Sequence, residues 1–160
     1  MPAPCLVLVK RGNPRVAEVG ALWNPATSEH GWFASPDNCA ADALGNLWVA
    51  TDQGPEWSKS GTADGLWHLE TAGEGRGTGR MFFRVPVGAE LCGPIFTPDD
   101  RSLFLVVQHP AIEGAKDYAP FGRDSTFADP TTRWPDFDDA MPPRPAVLAI
   151  TNDDGGPIGA

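Results

Sequence analysis

The stretch Val87–Pro110, VGAELCGPIFTPDDRSLFLVVQHP, decides how this chain is read. A glycine-bearing turn at Val87-Gly88 leads to an acidic side chain, Glu90. A short apolar strand at Ile95-Phe96 then meets Thr97-Pro98-Asp99-Asp100. Proline pre-sets φ for a turn and aspartate side chains bond back to their own backbone, so these residues spell a hairpin. Leu103 to Val107 is apolar without alternation, which predicts a strand buried on both faces. Gln108-His109-Pro110 closes it.

A weaker copy of this unit lies upstream. The turn ending at Gly45-Asn46 runs into Leu47-Trp48-Val49, as the turn Thr97 to Ser102 runs into Leu103-Phe104-Leu105. Aligning Leu47 with Leu103 spaces the copies slightly wider than the roughly 40–50 residues of common propeller blades. Repeated turn-plus-strand units point to an all-β array of blades.

The rest of the chain is consistent with that class. Its 160 residues are one domain's worth, and 18 glycines and 17 prolines spread among six tryptophans signal many turns. No window carries a helical period free of glycine or proline. Further strands are predicted at Cys5–Val9, Arg15–Trp23, Gly65–Glu70, Arg80–Val85 and Pro145–Thr151. Ser35-Pro36-Asp37-Asn38 reads as a second proline–aspartate turn, Pro55–Asp64 as an insertion loop, and Thr71–Gly79 as a hairpin turn. The glycines of that turn do not make a phosphate loop, because a strand and not a helix follows them. From Ala111 to Arg144 the chain is irregular, with Trp134 and Phe137 available to pin it to the body. The domain reading is a strand-containing segment over 1–31 and blades over 32–160.

A net charge of −9 excludes nucleic acid and polybasic membrane binding, both of which need clustered Lys and Arg. Excess carboxylate suits hard cations such as calcium. Cys5, Cys39 and Cys92 match no zinc spacing and read as buried free thiols. The similar places of Cys39 and Cys92 in the two copies leave a disulfide open. The N-terminal apolar run is too short for a signal peptide or a membrane span.

Four segments taken together resemble a known family: FASPDNCAADALGNLWVATDQG (33–54), VGAELCGPIFTPDDRSLFLVVQHP (87–110), STFADPTTRWPDF (125–137) and PPRPAVLAITNDDGGPIG (142–159). They are similar to the C-terminal part of the PhoX-type alkaline phosphatases, from about Trp32 onward. The resemblance implies a six-bladed propeller of which this chain holds about two blades with long irregular loops. It also implies phosphomonoester hydrolysis, a calcium- and iron-dependent site at the mouth of the channel, and periplasmic or secreted localisation through twin-arginine export. No such signal stands in this sequence, and read literally the chain stays where it is made, in the cytoplasm. The family's chain is several times longer, so the expected partners are the missing N-terminal blades or a second copy, and the expectation is a fragment inactive alone. Two other readings stay open: a non-catalytic binding or assembly module, and a calcium-dependent propeller lactonase or esterase.

Glu90 is the first candidate ligand. It follows a glycine turn and matches the family's Glu in E-x-x-G, which resembles a metal-ligand position. Asp37 and Asn38 read as an Asx turn, with oxygen ligation to calcium as the alternative. Asp52 ends a strand, where a channel-facing ligand or a capped turn fits. His109 reads as a donor to phosphate, a ligand to iron or a hydrogen-bonded structural histidine. Nothing local separates Arg80, Arg84 and Arg123 from solvated surface arginines.

Overall fold

The computed structural model describes residues 20–159. The strand expected at Cys5–Val9 lies outside them, and residues 20–23 of the one expected at Arg15–Trp23 are not strand. Seven strands form two antiparallel meanders. The first sheet has the order β1-β2-β3-β4: β1 Pro36–Ala41, β2 Leu47–Thr51, β3 Gly65–Leu69 and β4 Gly79–Arg84. The second has the order β5-β6-β7: β5 Glu90–Phe96, β6 Ser102–Gln108 and β7 Ala146–Thr151. The class is therefore all-β, with little helix, and no closed sheet is formed among the described residues.

Turn chemistry sets the hairpins as the sequence indicates. At the β1–β2 turn the Asp42 carboxylate accepts from the Asn46 backbone N–H at 2.8 Å and the Trp48 indole at 3.0 Å. At the β5–β6 turn Thr97 Oγ1 donates to Asp99 Oδ1 at 2.7 Å, and Asp100 takes a positive φ of 53°. The second carboxylate then leaves its own hairpin: Asp100 Oδ2 accepts from the Ala43 N–H at 2.6 Å, so the two turns clasp one another.

Packing follows the two-residue period of a strand. Trp48, Ala50 and Leu66 of the first sheet meet Leu91, Leu103, Leu105 and Val107 of the second in one buried cluster. The opposite face of the first sheet, Val49 and Trp67, is covered by Phe33 and Trp23. The Trp67 indole donates to the His30 carbonyl at 2.9 Å, tying that cover down.

Three local expectations give way. Ser35–Asn38 is no turn: Pro36 begins β1, because a bulge between Pro36 and Cys39 lets the proline join a strand at the sheet edge. The run Leu103–Val107 is not buried on both sides; Leu105 is fully buried whereas Phe104 is 40% exposed, since only one face of the second sheet is covered. Phe137 is exposed and pins nothing, while Trp134 packs against the inter-sheet core. The 54–64 segment carries two short helical turns, Gly54–Glu56 and Trp57–Ser60, with Trp57 buried. No helix among the described residues is long and apolar enough to cross a membrane.

Candidate active site

The site forms where the chain enters β5 and leaves β6, because antiparallel pairing sets Glu90 opposite Gln108. The turn before β5 has to pass close under the segment after β6. Gly88 does so at φ 68°, where a Cβ would come within 2.8 Å of the Glu113 carbonyl oxygen, so only glycine fits. The Ala111 N–H donates to the Val87 carbonyl at 2.7 Å and the Glu113 N–H to the Gly88 carbonyl at 3.2 Å, locking the two segments together. His109 and Ala111 take positive φ values of 36° and 70°, a left-handed backbone that costs non-glycine residues energy and is often found where function fixes the geometry.

Glu90 is 7% exposed, and its carboxylate gathers three side chains. Cys92 Sγ donates to Oε1 at 2.8 Å. Gln108 Nε2 donates to Oε2, and His109 Nε2 lies 3.3 Å from that same oxygen. The other ring nitrogen of His109, Nδ1, stands 3.4 Å from the Gly88 carbonyl. Burial, the bond to Glu90 and the negative charges of Glu90, Asp37 and Asp52 push the Cys92 thiol up to about 12. Cys92 is thereby a proton donor to Glu90 and a poor nucleophile.

The structure brings Glu90 and His109 into contact and sets Asn38 against the same strand as Glu90. Asn38 Oδ1 accepts from the Gly93 N–H at 3.1 Å, which brings β1 against the bulge of β5. Asp37 and Asp52 are both exposed, yet near enough for their charges to act on Cys92. Asp52 also caps its own turn, Oδ1 accepting from the Gly54 N–H at 2.9 Å. Cys39 and Cys92 are free thiols; Cys39 is exposed and Cys92 half-buried, so neither the disulfide nor the fully buried pair is formed. Of the arginines, Arg80 pairs with Glu70 at 3.0 Å and Arg123 with Asp129 at 2.7 Å.

Sequence reasoning missed Gln108, Cys92 and Glu113. The first two stand in the quoted stretch: pairing of β5 with β6 sets Gln108 opposite Glu90, and the two-residue period of β5 puts Cys92 on the same face as Glu90. Burial raises the Glu113 carboxyl above its ordinary range and nearby Asp52 and Glu90 add to this, while His109 opposes it. Only the fold could show that Glu113 returns over Gly88.

Among the described residues no group of three or more His, Cys, Asp or Glu side chains could hold a metal ion. Asn38, Asp52 and Glu90 already accept hydrogen bonds through their oxygens. These residues alone do not fit the calcium and iron that the resemblance implies.

The family model for alkaline phosphatase PhoX matches residues 6–111, beginning well before Trp32 and ending just past His109. A solved structure, Pseudomonas fluorescens PhoX in complex with vanadate, a transition state analogue, is 28% identical with a TM-score of 0.68. The similarity covers 95% of this chain and 24% of that one. A search of curated proteins found no match.

Proposed function

This chain belongs to the PhoX alkaline phosphatase family, and from that membership we propose that it supplies one wall of a phosphomonoesterase site. The observation that carries the reading is His109 held 3.3 Å from the buried Glu90 carboxylate, within the segment the family model matches. His109 Nε2 faces the Glu90 carboxylate and Nδ1 the Gly88 carbonyl, so on this reading the ring donates to a phosphate oxygen by turning Nε2 away from Glu90 when substrate arrives. Glu90, with Asp37 and Asp52, makes the wall acidic, and Asn38 adds a neutral amide beside them. Free phosphate dianion is repelled by such a wall unless cations stand between them. Calcium and iron, which the resemblance implies, would polarise the phosphate oxygens once bound. The described residues by themselves do not complete a ligand set for these cations.

The proposed architecture is a partial propeller, about two blades of six. Its uncovered outer face on the second sheet is the place for a further blade or a second copy. A chain spanning 24% of its structural relative is, on this reading, inactive alone. Its place is periplasmic or secreted, as for the family. The second reading is a non-catalytic assembly module, in keeping with the lack of a three-ligand group among the described residues.

The test is p-nitrophenyl phosphate turnover with and without calcium, in the longest chain that contains this segment and in its Glu90→Gln variant. Calcium-dependent turnover that falls by about tenfold or more in the variant is expected. Equal turnover removes Glu90 from the site, and no turnover at all leaves the assembly module standing. The 160 residues by themselves are expected to show none.

A further inference from the structure

The long excursion between β6 and β7 leaves the second sheet beside His109 and comes back next to where it left, because Val107 pairs with Ala146. Its two ends and the loop 125–127 enclose an open cavity of about 500 Å³. That lies within the roughly 300–1,000 Å³ typical of small-molecule sites. Ile112, Phe127, Pro142 and Pro143 line it together with Gln108 and His109. Ile112 is 69% exposed and Phe127 62%.

Phe127 sits on a braced loop. Asp129 takes both Arg123 Nη2 and Nε at 2.7 Å, the Asp129 N–H donates to Thr126 Oγ1 at 3.1 Å, and the Thr131 N–H donates to Ser125 Oγ at 3.2 Å. The prolines fix the opposite lip. The groove is thus pre-formed, and a bound apolar group would gain contact without ordering the wall. Gln108 and His109 also touch Glu90, so the groove is continuous with the acidic site. The groove thus combines apolar walls with the polar side chains of Gln108 and His109, a mixture that suits an ester whose alcohol is apolar.

We propose that this groove receives the apolar organic group of the phosphate ester, an aryl or branched alkyl alcohol, with the phosphate directed toward His109. The proposal rests on the phosphatase reading, yet its apolar half can be measured alone. Binding of 1-naphthol, 1-naphthyl phosphate and glycerol 2-phosphate to the 160-residue chain and to Phe127→Ser would be followed by naphthyl fluorescence and calorimetry. Circular dichroism would confirm that the exposed substitution leaves the fold intact. Both naphthyl compounds should bind the wild type, the phosphate more weakly because its charge meets the acidic wall, and each should lose about tenfold in affinity in Phe127→Ser. Glycerol 2-phosphate should be indifferent to the change. Naphthol binding that depends on Phe127 supports the groove even where no phosphatase turnover is found, which separates the two claims. Failure of naphthol to bind, or equal binding by both chains, overturns the proposal. So does concentration-dependent self-association relieved by Phe127→Ser without naphthol binding, since a second copy would then fill the groove.

Discussion

The two sheets are built from the same kind of strand and are treated differently by the rest of the chain. The first is buried on both faces: Trp48 and Leu66 look inward to the second sheet, while Val49 and Trp67 look outward into Phe33 and Trp23. The second sheet buries Leu91, Leu103, Leu105 and Val107 against the first, but its other face keeps Ile95 at 62%, Phe104 at 40% and Val147 at 69% exposure. Register lines these up, since Ile95 pairs with Phe104 and Val106 with Val147. An apolar run therefore states what a strand can bury, and neighbouring segments decide whether it does. A contiguous bare apolar face is also the feature that a further blade or a second copy would cover.

The widest test of this contrast is truncation on each kind of face, read by denaturant unfolding. Trp67→Ala should cost about 3–5 kcal/mol and Leu105→Ala about 2–5 kcal/mol, because both are fully buried. Val147→Ala should stay within about 0.5 kcal/mol. If Val147→Ala cost as much as Leu105→Ala, the outer face would be covered in solution and the contrast would fail.

A smaller effect sharpens the picture of the doubly covered sheet. Asp64, just before β3, accepts from Thr51 Oγ1 at 2.6 Å and from the Gln53 N–H at 3.2 Å, yet burial pushes its carboxyl up from 3.8 to about 6. The folded state thus holds this proton more tightly than the unfolded chain. Stability from the group is full below about 3.8 and is lost as pH rises through about 6. The melting temperature of the wild type relative to Asp64→Asn should accordingly fall between pH 4 and pH 6 and then level off. A difference that stayed flat across that window would mean that Asp64 ionises as freely as in the unfolded chain.

The smallest effect touches reactivity and not stability. Peptide mapping after iodoacetamide treatment at pH 8 should find Cys39 alkylated well before Cys92. The first is exposed, while the second is half-buried and gives its proton to Glu90. Comparable rates would break the Cys92–Glu90 contact and with it the geometry of the site.

Much of the fold was legible because local chemistry dictates it. Thr97-Pro98-Asp99-Asp100 and Asp42 to Asn46 form turns by bonds within a few residues, and β2, β3, β4, β6 and β7 fall near their expected places. Pro36–Ala41 was misread because proline and aspartate are turn residues unless a bulge at an edge accommodates them. Glu90 and His109 were found as candidates from one stretch of sequence, and pairing of β5 with β6 is what brings them into contact. The nearness of Asp37 and Asp52 to Cys92 comes from packing between sheets, for which no local pattern exists. Glu113 was invisible for the same reason.

The return of the long excursion to its starting point has a consequence for chain continuity. β7 is held by six paired residues on β6 and by Leu148 and Ile150 in the core, not by the peptide that leads to it. A cut at an exposed position such as Ala119 or Pro120 should therefore leave the two pieces associated, as loop tips tolerate nicking when the flanking elements are packed. Limited proteolysis followed by size exclusion checks this: co-elution of both pieces is expected, and separation without denaturant would show that β7 depends on its tether. The connection is in that sense interchangeable. It can lengthen, shorten or change its chemistry beside His109 while the sheets beneath keep their register.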